Sequence, residues 1–151
     1  MLAPNTDVIC NILEHTSVSD APNVIRGFVP STDSGKVSYC TNKRLNPVVY
    51  LRKLTSHSKD LLTVMGALGV ILSGSRAAEY FRPGACDHDS DWDFYCDEGI
   101  DWVIRFSSYM SRIGTWWEKL PADGESSDYG NLNVLRGMLH EGGKAHKVQL
   151  I

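Results

Sequence analysis

Four aspartates stand at alternate positions in the stretch DHDSDWDFYC: Asp87, Asp89, Asp91 and Asp93. Carboxylates this close repel one another unless a cation is held between them or solvent screens them. The strict alternation of DWDFYC predicts a strand, with Asp91, Asp93 and Tyr95 on one face and Trp92, Phe94 and Cys96 on the other. The apolar face must pack against a core, so Asp91 and Asp93 are fixed side by side on a rigid element. Such a pair suits a hard divalent cation, Mg²⁺ or Mn²⁺, which takes one or two carboxylates together with water and phosphate oxygens. Asp87 and Asp89 read as an incidental pair in a solvated turn.

Upstream, LSGSRAAEYF puts Gly74 and Ser75 at a strand-to-helix junction. A glycine there lets a phosphate approach the backbone, and the helix N-terminus offers N–H groups and the positive end of its dipole. The Ser75 hydroxyl can donate to a phosphate oxygen, and Arg76 can add charge. One element would then hold phosphates and the next the metal that bridges them, which is the arrangement phosphoryl transfer requires.

A strand ending in Gly-Ser, a helix, a loop, and a strand bearing Asp-x-Asp resembles the nucleotidyltransferase superfamily with the DNA polymerase β-like fold. The resemblance runs over about residues 60–113 through LSGSRAAEYF and SDWDFY. It implies that Gly74 and Ser75 bind the triphosphate of an NTP and that Asp91 and Asp93 are catalytic metal ligands for Mg²⁺ or Mn²⁺. The implied reaction moves a nucleoside monophosphate onto an acceptor, whether RNA, protein or small molecule, and releases pyrophosphate. Sixteen residues separate Ser75 from Asp91, slightly long for the family, and RPGACDH absorbs the excess. The family usually carries a third carboxylate on a later strand. The matching strand here, HKVQLI, offers Lys147 and Gln149 and no acid. Glu141 and Asp128 are weak substitutes. The missing acid lies either in a segment beyond Ile151 or nowhere, and in the second case the domain is a degenerate binding or interaction module.

The elements that must position these residues follow from periodicity. SHSKDLLTVMGAL spaces Leu61, Leu62, Met65 and Leu68 as a helix, capped by Ser56 or Ser58. GVILSG reads as a buried strand, and SRAAEYF as a short helix ended by Pro83-Gly84. IDWVIRFSSYMSRI repeats Trp102, Val103, Phe106, Tyr109, Met110 and Ile113 at amphipathic spacing. TWWEKLPADGESSDYG reads as a loop anchored by Trp116 and Trp117, all three late tryptophans serving as packing residues rather than base-stacking platforms. LNVLRGMLHEGGKAHKVQLI reads as a hairpin turning at Gly142-Gly143. Residues 1–54 are expected to be a loop-rich extension with a short helix over TDVICNILEH, capped by Thr6 or Asp7, and a short strand or two. Residues 55–151 form the nucleotidyltransferase-like core. The fold class is α+β, a small mixed sheet flanked by helices with a C-terminal hairpin.

Composition bounds the rest. The 151 residues suffice for one domain with a core, and no apolar run approaches the roughly 20 needed for a membrane span. No secretory signal is visible, so a cytoplasmic setting is expected. Cys10, Cys40, Cys86 and Cys96 show no C-x-x-C spacing, which favours reduced thiols over disulfides or zinc. Seven acids and no Lys or Arg lie between Asp87 and Asp101, leaving 15 basic against 11 acidic groups elsewhere. The chain is thus a mildly basic body with one anionic spot, inside a net charge of −3. An EF-hand beginning at Asp87 would end at Glu98, but Trp92 occupies the position that needs glycine. The five histidines lack ligand spacing, and only His88 lies near enough in sequence to support the aspartates. An apolar C-terminal strand, if exposed, could join two copies of the chain.

Overall fold

A computed structural model describes residues 6–28, 34–96, 100–118 and 134–151. Its architecture is α+β, with helices beside a five-stranded mixed sheet. The strands are β1 (Ile71–Ser73), β2 (Trp92–Tyr95), β3 (Thr115–Trp117), β4 (Leu135–Glu141) and β5 (Lys144–Leu150). Their order across the sheet is β1-β2-β5-β4-β3. Only the β2–β5 pair is parallel; the other neighbours are antiparallel. The β4–β5 hairpin turns where expected: Gly142 and Gly143 have φ 57° and 77°, and Glu141 pairs with Lys144 across them. Positive φ at both central residues matches the twist of the flanking strands.

The alternation in β2 works as the pattern requires. Trp92 and Phe94 are 1% and 0% exposed and face the helices α5 (Ser58–Leu68) and α7 (Ile100–Arg112). Leu61, Met65, Phe106, Met110, Leu139, Val148 and Leu150 complete that core. Phe94 and Phe106 lie 5.2 Å apart between ring centroids. No Ser caps α5: His57 holds the cap position without a side-chain bond, because Ser56 is engaged by Glu141.

Further expectations are corrected. GVILSG is a strand, but β1 lies at the sheet edge and Ile71 is exposed, so it is not buried. Thr115–Trp117 is a strand rather than the start of a loop, paired to β4 with Trp116 opposite Met138. The C-terminal strand β5 is central, flanked by β2 and β4, so it offers no free edge for joining two copies. Burying the apolar LI ending between two partners satisfies its backbone groups, which an edge would leave open.

Another correction concerns the N-terminal region, whose described residues are largely helical. It contains α1 (Thr6–Glu14), α2 (Ala21–Phe28), α3 (Ser34–Leu45) and α4 (Pro47–Leu51). Its prolines read as loop signals, yet Pro22 and Pro47 sit in first turns, where a missing N–H costs nothing. Asn46 caps α4 by accepting from the Val48 N–H at 2.9 Å. Ile9, Cys10, Leu13, Ala21 and Cys40 form a small second core, with Val24 and Ile25 against it. Cys10 and Cys40 are joined in a disulfide, which overturns the expectation of reduced thiols for this pair. Thirty residues separate them, and their meeting depends on how α1 packs on α3. Tyr50, Leu51 and Leu54 belong instead to the main core. Among the described residues, no helix is long and apolar enough to cross a membrane.

Candidate functional site

The fifth strand brings a residue from the far end of the chain to the aspartates. Asp93, in the middle of β2, pairs with Ser73 of β1 on one side and Gln149 of β5 on the other. Asp91, just before β2, accepts a hydrogen bond from Gln149 Nε2 at 2.5 Å. Gln149 therefore neighbours one carboxylate through the backbone and holds the other through its amide.

Gly74 follows Ser73 and opens α6 (Gly74–Phe81) with φ 66°, a conformation that glycine adopts without penalty. A Cβ at that position would overlap Asp93 Oδ2 and lie 3.1 Å from its Cγ. The glycine thus lets the Asp93 carboxylate lie against the backbone where the helix begins, the end whose dipole favours negative charge. Ser75 is the second residue of α6, half-buried, and the side chain of Ser73 makes no capping bond there. Gly74, Ser75, Asp91 and Asp93 are thus gathered at the junction of β1, α6 and β2.

Asp93 Oδ1 and Gln149 Oε1 are among the buried polar atoms without a hydrogen-bond partner. Leaving two acceptors orphaned on cross-strand neighbours is costly in the absence of a ligand. Their chemistry, a carboxylate oxygen and an amide oxygen beside a second carboxylate, is that of a hard cation's oxygen shell. The donor set fits Mg²⁺ or Mn²⁺. Among the described residues no cluster of three or more His, Cys, Asp or Glu forms, and the group beside the two aspartates is the Gln149 amide. Burial, and then the neighbouring charge of Asp91, push the Asp93 carboxyl above the ordinary aspartate range.

Arg76 is corrected. Its guanidinium is buried on the opposite side, donating to the carbonyls of His88 at 2.7 Å and Ser90 at 2.9 Å. It also lies 5.1 Å from the Trp92 ring and 3.5 Å from Glu79. A cation committed to four partners holds the 86–90 loop and is not available to a phosphate. No local pattern marks this, because the partners meet only once the 86–90 loop returns over α6. Around it lies a cluster that pattern reading missed: Glu79 accepts from Cys86 Sγ at 2.9 Å and from Tyr50 Oη at 3.1 Å. Burial would raise the Glu79 carboxyl, but bonds from Cys86, Lys53 and Tyr50 outweigh it and hold the group below its usual range.

The other candidates stand apart. Asp87 and Asp89 are exposed, and Asp89 pairs with His88 at 3.3 Å. His88 points into solvent and does not support the aspartates. Glu141 ends β4 at the far end of the hairpin, where it accepts from the Ser56 N–H at 2.9 Å and from the Ser56 hydroxyl. Asp128 and Glu98 lie outside the described residues. Because Trp92–Tyr95 is a strand paired on both sides, the stretch from Asp87 is not an EF-hand loop.

No family model, curated protein or solved structure matches this chain.

Proposed function

We propose that the chain is a nucleotidyltransferase-like domain that binds a nucleoside triphosphate together with Mg²⁺ or Mn²⁺ and inefficiently transfers its nucleoside monophosphate to an acceptor hydroxyl, releasing pyrophosphate. Asp91, Asp93 and the Gln149 amide oxygen would hold the cation, and the Gly74-Ser75 turn would receive the phosphates. The cation, when bound, neutralises phosphate charge and orients the phosphoryl group. Gln149 carries this reading, because it stands beside Asp93 where the resemblance calls for a third acid. A neutral amide holds a cation oxygen but takes no proton from an attacking hydroxyl, so general-base assistance is lost at that position. Efficient transfer is the second reading, favoured by the Gly-Ser turn and the Asp pair meeting at one junction.

Calorimetry with each NTP, with and without Mg²⁺ or Mn²⁺, tests the binding. Absence of metal-dependent nucleotide binding overturns both readings. Incorporation of labelled nucleotide into RNA or protein acceptors, lost in Asp91→Asn/Asp93→Asn, supports the second. Gln149→Asp should raise incorporation about tenfold or more, the scale of a positioned base. It should also destabilise the metal-free protein by about 1–3 kcal/mol, since a third carboxylate replaces a donor to Asp91.

Asp93 supplies a signature of opposite sign. Its folded pKa is raised, so its contribution to stability is complete below the unfolded value and is lost as pH rises through the folded one. At neutral pH the charged carboxylate therefore opposes folding. Asp93→Asn is expected to stabilise the metal-free protein by about 1 kcal/mol, read as a rise in Tm of a few degrees, while abolishing stabilisation by added Mn²⁺. In the native protein, cation affinity should fall as pH is lowered into the range where Asp93 takes up its proton, above that of an ordinary aspartate. Affinity that does not fall on acidification, measured by Mn²⁺ titration, would count against the site.

A further inference from the structure

One face of the sheet carries the helices; the other, among the described residues, carries none of the core contacts. Side-chain alternation puts Asp93 of β2, Lys147 and Gln149 of β5, Met138 and His140 of β4 and Trp116 of β3 on that open face. Trp116 is 77% exposed, a large aromatic that the fold leaves in solvent although its neighbour Trp117 is packed and hydrogen-bonded to Ser107 and Ser111. Met138 lies directly across from Trp116 and Lys147 directly across from Met138. Lys147 precedes Val148 as Asp91 precedes Trp92, and Val148 and Trp92 are register partners. A single row therefore runs across the sheet from Trp116 through Met138 and Lys147 to Asp91.

We infer that this row is a binding track for a single-stranded nucleic acid, which the domain presents to its cation site as the acceptor. A base has a π-face that stacks on Trp116, and Met138 extends the apolar floor. The exposed Lys147 ammonium, with His140 behind it, meets the phosphate backbone. Positive charge lies in the middle of the row and the carboxylates at its end, so a polyanion is drawn onto the sheet and its terminus meets the acids only where a cation is held. Across three strand spacings Trp116 and Asp91 are about 14 Å apart, within reach of a very short oligonucleotide. A duplex is too stiff and stacked to offer a base to a lone indole, so single strands are favoured. The acceptor role rests on the proposed nucleotide site; binding to the row does not.

The test is anisotropy of fluorescein-labelled U12 and A12 with the full chain, without NTP or added divalent cation, at low and moderate salt. Single strands should bind more tightly than a labelled duplex, with affinity falling as salt rises. Trp116→Ala should weaken binding about tenfold with unchanged Tm, Trp116→Phe should restore much of it, and Lys147→Ala should weaken binding and flatten the salt dependence. Most tryptophan quenching by the oligonucleotide should vanish in Trp116→Ala, since Trp92 is buried, Trp117 is packed with its indole N–H bonded, and Trp102 lies on α7. No binding, binding indifferent to Trp116, or preference for duplex each overturns the inference, and a protein partner would then be the occupant to seek. Binding to the row is measured without NTP or divalent cation, so failure of the cation site and failure of the track are read separately.

Discussion

Replacing Gly74 with alanine should abolish the response to divalent cations and lower the Tm by roughly 5 °C. Two effects combine. The backbone at Gly74 has φ 66°, and a side chain in that left-handed region costs about 1–2 kcal/mol. The new Cβ would also overlap the Asp93 carboxylate, so that group must swing away from the helix N-terminus. The displaced carboxylate no longer shares a site with Asp91 and Gln149, and Mn²⁺ added to the variant should not raise its Tm. The comparison with Asp93→Asn is the informative part. Both variants lose the cation response, but Gly74→Ala is less stable than the native chain in metal-free buffer, whereas Asp93→Asn is more stable. If Gly74→Ala kept full Mn²⁺ stabilisation, the close approach of Asp93 to the turn would have no part in cation binding.

Reduction of the Cys10–Cys40 disulfide should have the largest effect on the N-terminal helices. Their separate core contains five buried residues, two of them the bridged cysteines themselves. A core this small leaves little hydrophobic stabilisation to offset the ordering of three helices. Closing a loop of about 30 residues lowers the entropy of the unfolded segment by an amount worth about 3–4 kcal/mol. Amide exchange in α1 and α3 should therefore accelerate by about two orders of magnitude or more under reductant, while β2, β5 and α7 are little changed. Cys10→Ser/Cys40→Ser should behave like the reduced protein. Links to the rest of the chain should survive in part: Arg44 donates to the Tyr80 carbonyl at 2.8 Å, and Val18 N–H to the Phe81 carbonyl at 2.8 Å. Unchanged exchange on reduction would mean those tertiary links, and not the disulfide, hold α1 to α3.

The surface ion pair Lys43–Glu14, at 2.5 Å between α3 and α1, contributes less. Both side chains are nearly half exposed, so solvent screens the pair.

How much of this was legible in the amino-acid sequence depended on how local the controlling interaction is. The alternation of DWDFYC fixed a strand, its buried side and the face that carries Asp91 and Asp93, because period-two burial is written residue by residue. Gly142-Gly143 specified the hairpin for the same reason: two positive φ angles at adjacent positions demand glycine whatever lies beyond. Helix α7 was visible through its apolar repeat. By contrast, Pro22, Pro47 and the Ser- and Asn-rich composition of residues 21–47 pointed to loops, since in first turns and caps the same residues initiate helices, and only packing against Ile9 and Leu13 decides between the two. Arg76 looked like a phosphate ligand in LSGSRAAEYF, and its capture by the His88 and Ser90 carbonyls arises from a loop that returns over the helix. Trp116 carries no local mark that separates it from Trp117; which of the two is left in solvent follows from the side of the sheet that the helices cover. The pairing of Cys10 with Cys40 likewise came from two helices meeting. The sequence alone determined the strand and the side that carry Asp93, with Asp91 one residue ahead of that strand, and the absence of an acid in HKVQLI. Only the tertiary structure decided that β5 lies between β2 and β4 and so puts Gln149 beside Asp93, because strand order is set by burial and backbone pairing between segments more than fifty residues apart.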